Sequence, residues 1–147
     1  MTRADEYARY LERVSPENLD EFANFVAADV RFADPFHDVR GLNSLRTVFQ
    51  QMFEKVGPVT FVISRILEKG QEAVFVWQFD AALFGKPWVI QGMSHIKFNL
   101  DGKITEHIDY WDSGRLFLAK LPLIGRLLIY LYRRIGSQPD PQGRTQS

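Results

Sequence analysis

The chain has no cysteine among its 147 residues. That excludes a disulfide framework and any Cys-containing zinc motif. It also lacks a surplus of charge: 18 Lys and Arg stand against 18 Asp and Glu. Phosphate binding needs a basic excess, so nucleic acid is not an expected partner. Residues 1–30 are charged and helical in pattern, without the apolar core of a signal peptide. With the missing thiols, this makes a cytoplasmic location the expectation. No apolar run is clean enough to cross a membrane. The richest, 116–134, is interrupted by Lys120, Pro122, Gly125 and Arg126. Neither an internal repeat nor a second domain is visible.

Aromatic residues are plentiful, at 14% with 12 Phe. They imply a large apolar interior or a ring-lined pocket. The length suits one domain with a sizeable core. A first helix is predicted over 3–14, with Tyr7, Tyr10, Leu11 and Val14 on one face. Ser15 and Pro16 then read as the cap and first residue of a second helix. It runs to about residue 28 and buries Leu19, Phe22, Phe25 and Val26. A short extended piece, 30–32, stops at Asp34-Pro35, because proline biases the residue before it away from helix. A third helix runs from 41 to about 56 and ends at Gly57-Pro58. Antiparallel strands are predicted at 59–68, 73–84, 88–99 and 104–111.

The expected fold class is α+β. N-terminal helices pack on a curved, mainly antiparallel sheet to form a cone, with an extra apolar C-terminal helix. One domain is expected over 1–135, its last part (116–135) an apolar helical extension. A disordered Gly/Ser/Gln/Pro-rich tail follows over 136–147.

The hairpin around Asp101-Gly102 carries the chemistry. Ser94, His107 and Asp109 sit where a purely structural hairpin would place aliphatics. Side chains alternate along a strand, so Ser94 facing inward takes Gly92, Ile96 and Phe98 with it. Met93, His95 and Lys97 then face out. Asp109 facing inward takes His107 and Trp111. On the second strand, Asp80 facing inward takes Gln78 and Val76. That leaves Phe75, Trp77 and Phe79 as an outward aromatic stripe, which suits a homodimer interface through the outer sheet face.

Two stretches resemble the nuclear-transport-factor-2-like, or SnoaL-like, superfamily. They are Asn18-Leu19-Asp20 with Ala33-Asp34-Pro35, and Ser94-His95-Ile96-Lys97-Phe98-Asn99 with Asp101-Gly102-Lys103. In pattern they are similar to ketosteroid isomerase, and the resemblance covers roughly residues 5–115. It implies Asp34 as a general base beside a ketone, with Tyr10 and Ser94 as donors to the oxyanion. The family's protonated Asp is replaced here by Ser94. The pairing of Tyr with a protonated carboxylic acid in ketosteroid isomerase is a known pattern. A serine hydroxyl is a weaker donor, so poorer enolate stabilisation is implied.

Ile108-Asp109-Tyr110-Trp111-Asp112 resembles the last strand of limonene-epoxide hydrolase, and Gln78-Phe79-Asp80 its Arg-x-Asp strand. That resemblance implies water activation by Asp80 and Asp109, with Gln78 in place of the family's arginine.

Each residue also has a structural reading. Asp34 can cap a turn. Tyr10 can be an amphipathic core residue. His107 and Asp109 form either a base with an orienting carboxylate or a satisfied buried pair. His37 is expected at the pocket mouth, with Trp111 and Phe98 in the lining. Asp112 is expected to cap a helix at Ser113.

The expected activity is cofactor-independent proton transfer beside the carbonyl of an apolar small molecule. A water-activating hydrolase or hydratase and a non-catalytic binder of a lipid-like ligand are the alternatives. No metal-spacing motif is present. Segment 116–134 can close the pocket, pack on a partner subunit, or contact a membrane surface peripherally.

Overall fold

The computed structural model describes residues 1–136. Contacts divide this chain into two compact units, Met1–Trp111 and Asp112 onward. Of the expected tail over 136–147, residues 137–147 lie outside the described residues.

The first unit opens with α1 (Arg3–Arg13), one residue shorter than expected. Its start is a capping box, in which Asp5 N donates to Thr2 Oγ1 and Thr2 N donates to Asp5 Oδ2. Its buried face holds Ala4, Tyr7, Ala8, Tyr10 and Leu11. The predicted second helix shrinks to a 3-10 helix, Leu19–Asn24. Strand β1 (Val26–Asp34) replaces its last turn. The reason is non-local. Ile104 N donates to Phe25 O at 2.9 Å, and Val26 pairs in parallel with Ile104. A sheet ladder therefore satisfies backbone groups that a helix would otherwise have used.

Next come β2 (His37–Arg40), α2 (Leu42–Val56), β3 (Thr60–Lys69), β4 (Glu72–Leu83), β5 (Lys86–Phe98) and β6 (Ile104–Tyr110). They form a six-stranded, curved, open sheet in the order β2-β1-β6-β5-β4-β3. Only the β1–β6 pair is parallel. The fold is α+β, with helices packed on a mixed, mostly antiparallel sheet.

Register decides which side chains reach the core. Ser94 lies opposite Asp109, and Ile96 opposite His107. The predicted inward face of β5 and β6 is therefore the observed one. Strand β4 reads the other way. Phe75 is opposite Ser94, Trp77 opposite Gly92, and Phe79 opposite Ile90. Directly opposed residues share a face, so Phe75, Trp77 and Phe79 point inward and are buried. Gln78 and Asp80 belong to the outer face. The expected outward aromatic stripe is thus part of the core. The outer face instead exposes Val62, Leu67, Val89, Met93 and Tyr110.

The core is a ring cluster. Tyr7 meets Phe22, Phe25 and Phe75 with centroids 5.6–6.5 Å apart. Tyr10 stacks on Phe25 at 5.0 Å. Full burial of each large ring contributes about 1.5–3 kcal/mol.

The second unit begins with α3 (Ser113–Leu116), capped as expected by Asp112, whose Oδ1 accepts from Arg115 N at 2.9 Å. A 3-10 turn, Leu118–Lys120, leads to α4 (Pro122–Ile135). A side chain at Gly125 would come within 2.3 Å of Ala119 O, so only glycine lets α4 approach this turn. Arg115 lies over the Tyr132 ring at 5.3 Å. Among the described residues, no helix is long and apolar enough to cross a membrane.

Candidate functional site

Two hydrogen-bonded arms converge on Asp109. In the first, Tyr7 Oη is 2.8 Å from His107 Nδ1, and His107 Nε2 is 2.8 Å from Asp109 Oδ1. In the second, Trp77 Nε1 donates to Ser94 Oγ at 2.8 Å, and Ser94 Oγ donates to the same Asp109 Oδ1 at 2.5 Å. Four elements supply the members: α1, β4, β5 and β6.

The proton assignment follows from the network. An ionised carboxylate only accepts, so His107 carries its proton on Nε2. In the neutral imidazole Nδ1 is then an acceptor, and the Tyr7 hydroxyl donates to it. Burial pushes the Tyr7 phenol well up, and the Asp109 charge adds to this. The phenol therefore stays a donor. Every donor in both arms points toward Asp109.

His107 and Ser94 are buried, whereas the Asp109 side chain is 20% exposed. Both arms use Oδ1, which leaves Oδ2 without a partner among the described residues.

Local sequence makes the second arm possible. A Cβ at Gly92 would sit 2.6 Å from the Trp77 ring and 2.9 Å from Tyr110 O. Glycine there lets the indole lie across β5 and reach Ser94.

Asp34 stands on the adjacent strand. Paired positions on β1 and β6 run through Phe32–His107 and Ala33–Ile108. The next residues are Asp34 and Asp109, and alternation puts Asp34 on the Phe32 face. Its carboxylate anchors the β1–β2 turn, accepting from Phe36 N at 2.8 Å and His37 N at 2.7 Å. It also holds His37 Nδ1 at 2.9 Å. The turn-capping reading of Asp34 is therefore realised.

A row of rings continues from this turn. Trp111 meets Phe36 at 5.5 Å and Trp88 at 6.0 Å, and Trp88 meets Phe79 at 6.2 Å. Phe98 lies elsewhere, opposite Ile104 near the hairpin turn.

Three expectations change. Tyr10 is not among these groups: its hydroxyl donates to Asn18 O at 3.1 Å, inside the N-terminal layer. Tyr7, one turn earlier on the same face, takes the place next to His107. Ser94 gives its proton to Asp109 rather than to a substrate oxygen. Asp80 does not meet Asp109. It lies on the outer face, where Gln78 Nε2 donates to its Oδ2 at 3.0 Å.

Sequence reasoning missed Tyr7 and Trp77. The usable signal was the i, i+3 pair of tyrosines on α1, both of which can face the core. Among the described residues, no group of three or more His, Asp or Glu side chains is placed to hold a metal. An open groove of about 520 Å³ between the 3-10 helix and α2 is lined by Leu19, Asp20, Arg46 and Gln50, among others. It contains none of the residues above.

A helix-covered curved sheet with a buried polar chain defines the α+β domain. Residues 7–107 match the model of the SnoaL-like domain, and the chain belongs to that family. No curated protein matches it in sequence. Solved structures share the fold. One is a protein of ketosteroid-isomerase-like fold from Catenulispora acidiphila, in complex with trimethylamine. It is 17% identical with a TM-score of 0.68, over 83% of this chain and 96% of that one. Another is a Mycobacterium tuberculosis LEH-like epoxide hydrolase, 20% identical with a TM-score of 0.63, over 78% and 84%. A SnoaL-like protein from Agrobacterium tumefaciens, provisionally assigned as an isomerase, is 18% identical with a TM-score of 0.62, over 75% and 94%. At these identities the likeness is one of fold.

Proposed function

We propose that the Met1–Trp111 unit binds an apolar small molecule bearing a carbonyl and moves a proton beside that carbonyl. The observation that carries this is the convergence of both donor arms on one oxygen of Asp109, with the other oxygen open. Asp109 Oδ2 takes a proton from the carbon next to the carbonyl. The C–H bond breaks, an O–H bond forms on Asp109, and the electron pair moves to the carbonyl oxygen. Return of the proton to a conjugated carbon completes an isomerisation and restores the carboxylate. No cofactor enters this balance. The two arms hold Asp109 in one rotamer. The rim of Trp111, Trp88 and Phe36 supplies the apolar contact. Asp34 fixes His37 through Nδ1, leaving Nε2 to address the substrate oxygen.

This reading departs from the family resemblance by moving the base from Asp34 to Asp109. Water activation by Asp80 and Asp109 draws no support from the geometry, because the two carboxylates occupy opposite sheet faces.

The test is deuterium uptake. A panel of apolar enolisable ketones is incubated with the protein in D2O and followed by NMR. Asp109→Asn is expected to lower exchange by about 10²–10⁴-fold on the best substrate. Exchange undiminished in Asp109→Asn would remove the proposal.

A further inference from the structure

The overall neutrality of the chain conceals a segregation of charge. The first unit, residues 1–111, carries 12 Lys and Arg against 16 Asp and Glu, a net charge of −4. Residues 112–136 carry Arg115, Lys120, Arg126, Arg133 and Arg134 against a single acidic residue, Asp112, which pairs with Arg115, a net charge of +4. These cations surround an apolar helix.

Within its own unit, α4 spends one face. Gly125 is buried on Ala119, and Tyr132 reaches Gly114 and Arg115. At 100° per residue, Leu123, Ile124, Leu127, Leu131 and Ile135 form another stripe. All of these are exposed, Leu123 at 82% and Ile135 at 84%. An exposed apolar stripe on a small protein marks a binding surface. Arg126 and Arg133 share the flank of that stripe, and Arg134 lies at its C-terminal end.

We propose that α4 docks the protein on an anionic lipid bilayer. The helix lies in the interface plane with this stripe in the acyl boundary. Arg126, Arg133 and Arg134 meet the lipid phosphates. Fourteen residues make a helix of about 21 Å, too short to span the hydrocarbon core, so the helix lies on the membrane. Charge decides the occupant. A second copy of α4 would bring Arg126, Arg133 and Arg134 against the same three cations, with no acidic residue on either helix to pair them. Anionic lipid complements both the stripe and the cations. The acidic first unit is repelled by such a surface, which leaves the second unit as the contact. The inference does not rest on the chemistry assigned to Asp109.

The test is co-sedimentation of the full chain with vesicles at low salt. Vesicles of phosphatidylglycerol and phosphatidylcholine in equal parts are compared with phosphatidylcholine alone. Binding is expected to the anionic vesicles and to weaken with added salt. Leu127→Glu with Leu131→Glu is expected to lower partition about tenfold or more. Arg126→Gln with Arg133→Gln is expected to lower it about fivefold per residue. Circular dichroism confirms that each variant is folded. Three results overturn the proposal: no vesicle binding by the wild type, equal binding to both vesicle types, or wild-type partition in the folded Leu127/Leu131 variant. A helix-mediated dimer, dissociated by that variant and indifferent to vesicles, assigns the stripe to a second copy and also overturns it.

Discussion

The hydroxyl of Ser94 lies 2.5 Å from Oδ1 of Asp109, directly across the β5–β6 ladder. The same oxygen of Ser94 accepts the indole proton of Trp77. Ser94 therefore joins an aromatic of the core to the partly exposed carboxylate of Asp109. Removing it leaves a buried indole N–H without an acceptor and Asp109 with one donor fewer. Ser94→Ala is expected to cost about 1–3 kcal/mol, read as a lower urea midpoint. Deuterium exchange should fall as well, while Ser94→Thr, which keeps the hydroxyl, recovers part of both.

The two tyrosines of α1 make opposite predictions. Tyr7→Phe deletes the donor to His107 Nδ1 and leaves that nitrogen buried and unpaired. Stability should drop by about 1–3 kcal/mol, and exchange should fall with it. Tyr10→Phe removes only a bond to the Asn18 carbonyl. Exchange at saturating ketone should then match the wild type. If Tyr10→Phe lowers exchange and Tyr7→Phe does not, the Tyr7–His107 arm has no part in the chemistry.

Alkaline pH probes the same residues. Burial raises the Tyr7 and Tyr10 phenols above their ordinary value near 10. The unfolded chain releases these protons near pH 10 while the folded chain retains them. Their contribution is therefore complete below pH 10 and declines as pH rises beyond it. Each retained proton steepens the decline by about 1.4 kcal/mol per pH unit. Urea midpoints from pH 8 to 11.5 should fall less steeply in Tyr7→Phe than in the wild type. Identical slopes would mean that the Tyr7 phenol is not held protonated by its surroundings.

The outer sheet face leads to a prediction about assembly. Val76, Met93 and Tyr110 stand in one cross-strand row, with Met93 and Tyr110 more than half exposed. We propose that this surface, not the stripe of Phe75, Trp77 and Phe79, joins two copies of the chain. Sedimentation equilibrium should find a dimer in the wild type and a monomer in Met93→Glu. A monomeric wild type would leave this face with another role.

The legible parts of the sequence were those set by local chemistry. The Asp101-Gly102 turn, the Asp112 cap, α1, α2 and the four long strands all follow from short-range signals. Strand β4 resisted because Ala73-Val74-Phe75-Val76-Trp77 is apolar on both faces, so alternation alone offers two equal solutions. Choosing by Asp80 selected the wrong one. What decides is the pairing of Phe75 with Ser94, a contact 19 residues apart in sequence. Tyr7 and Tyr10 posed the same problem on a helix, since both lie on the buried face. Only His107, 100 residues away, separates their roles. The start of β1 was hidden because the stretch up to residue 28 has helical spacing, while its backbone finds partners on β6.

Strand β3 ends the sheet, and its free backbone edge could recruit strands from other molecules. Glu12 intervenes, since its Oε1 accepts Ile63 N at 2.8 Å beside the irregular step between Ile63 and Arg65. A blocked donor and a broken register make this margin a poor template for strand addition. At the opposite margin, β2 is four residues long. Both ends of the sheet are thus protected against fibrillar growth, a form of colloidal safety needed by a protein that keeps so much aliphatic surface open.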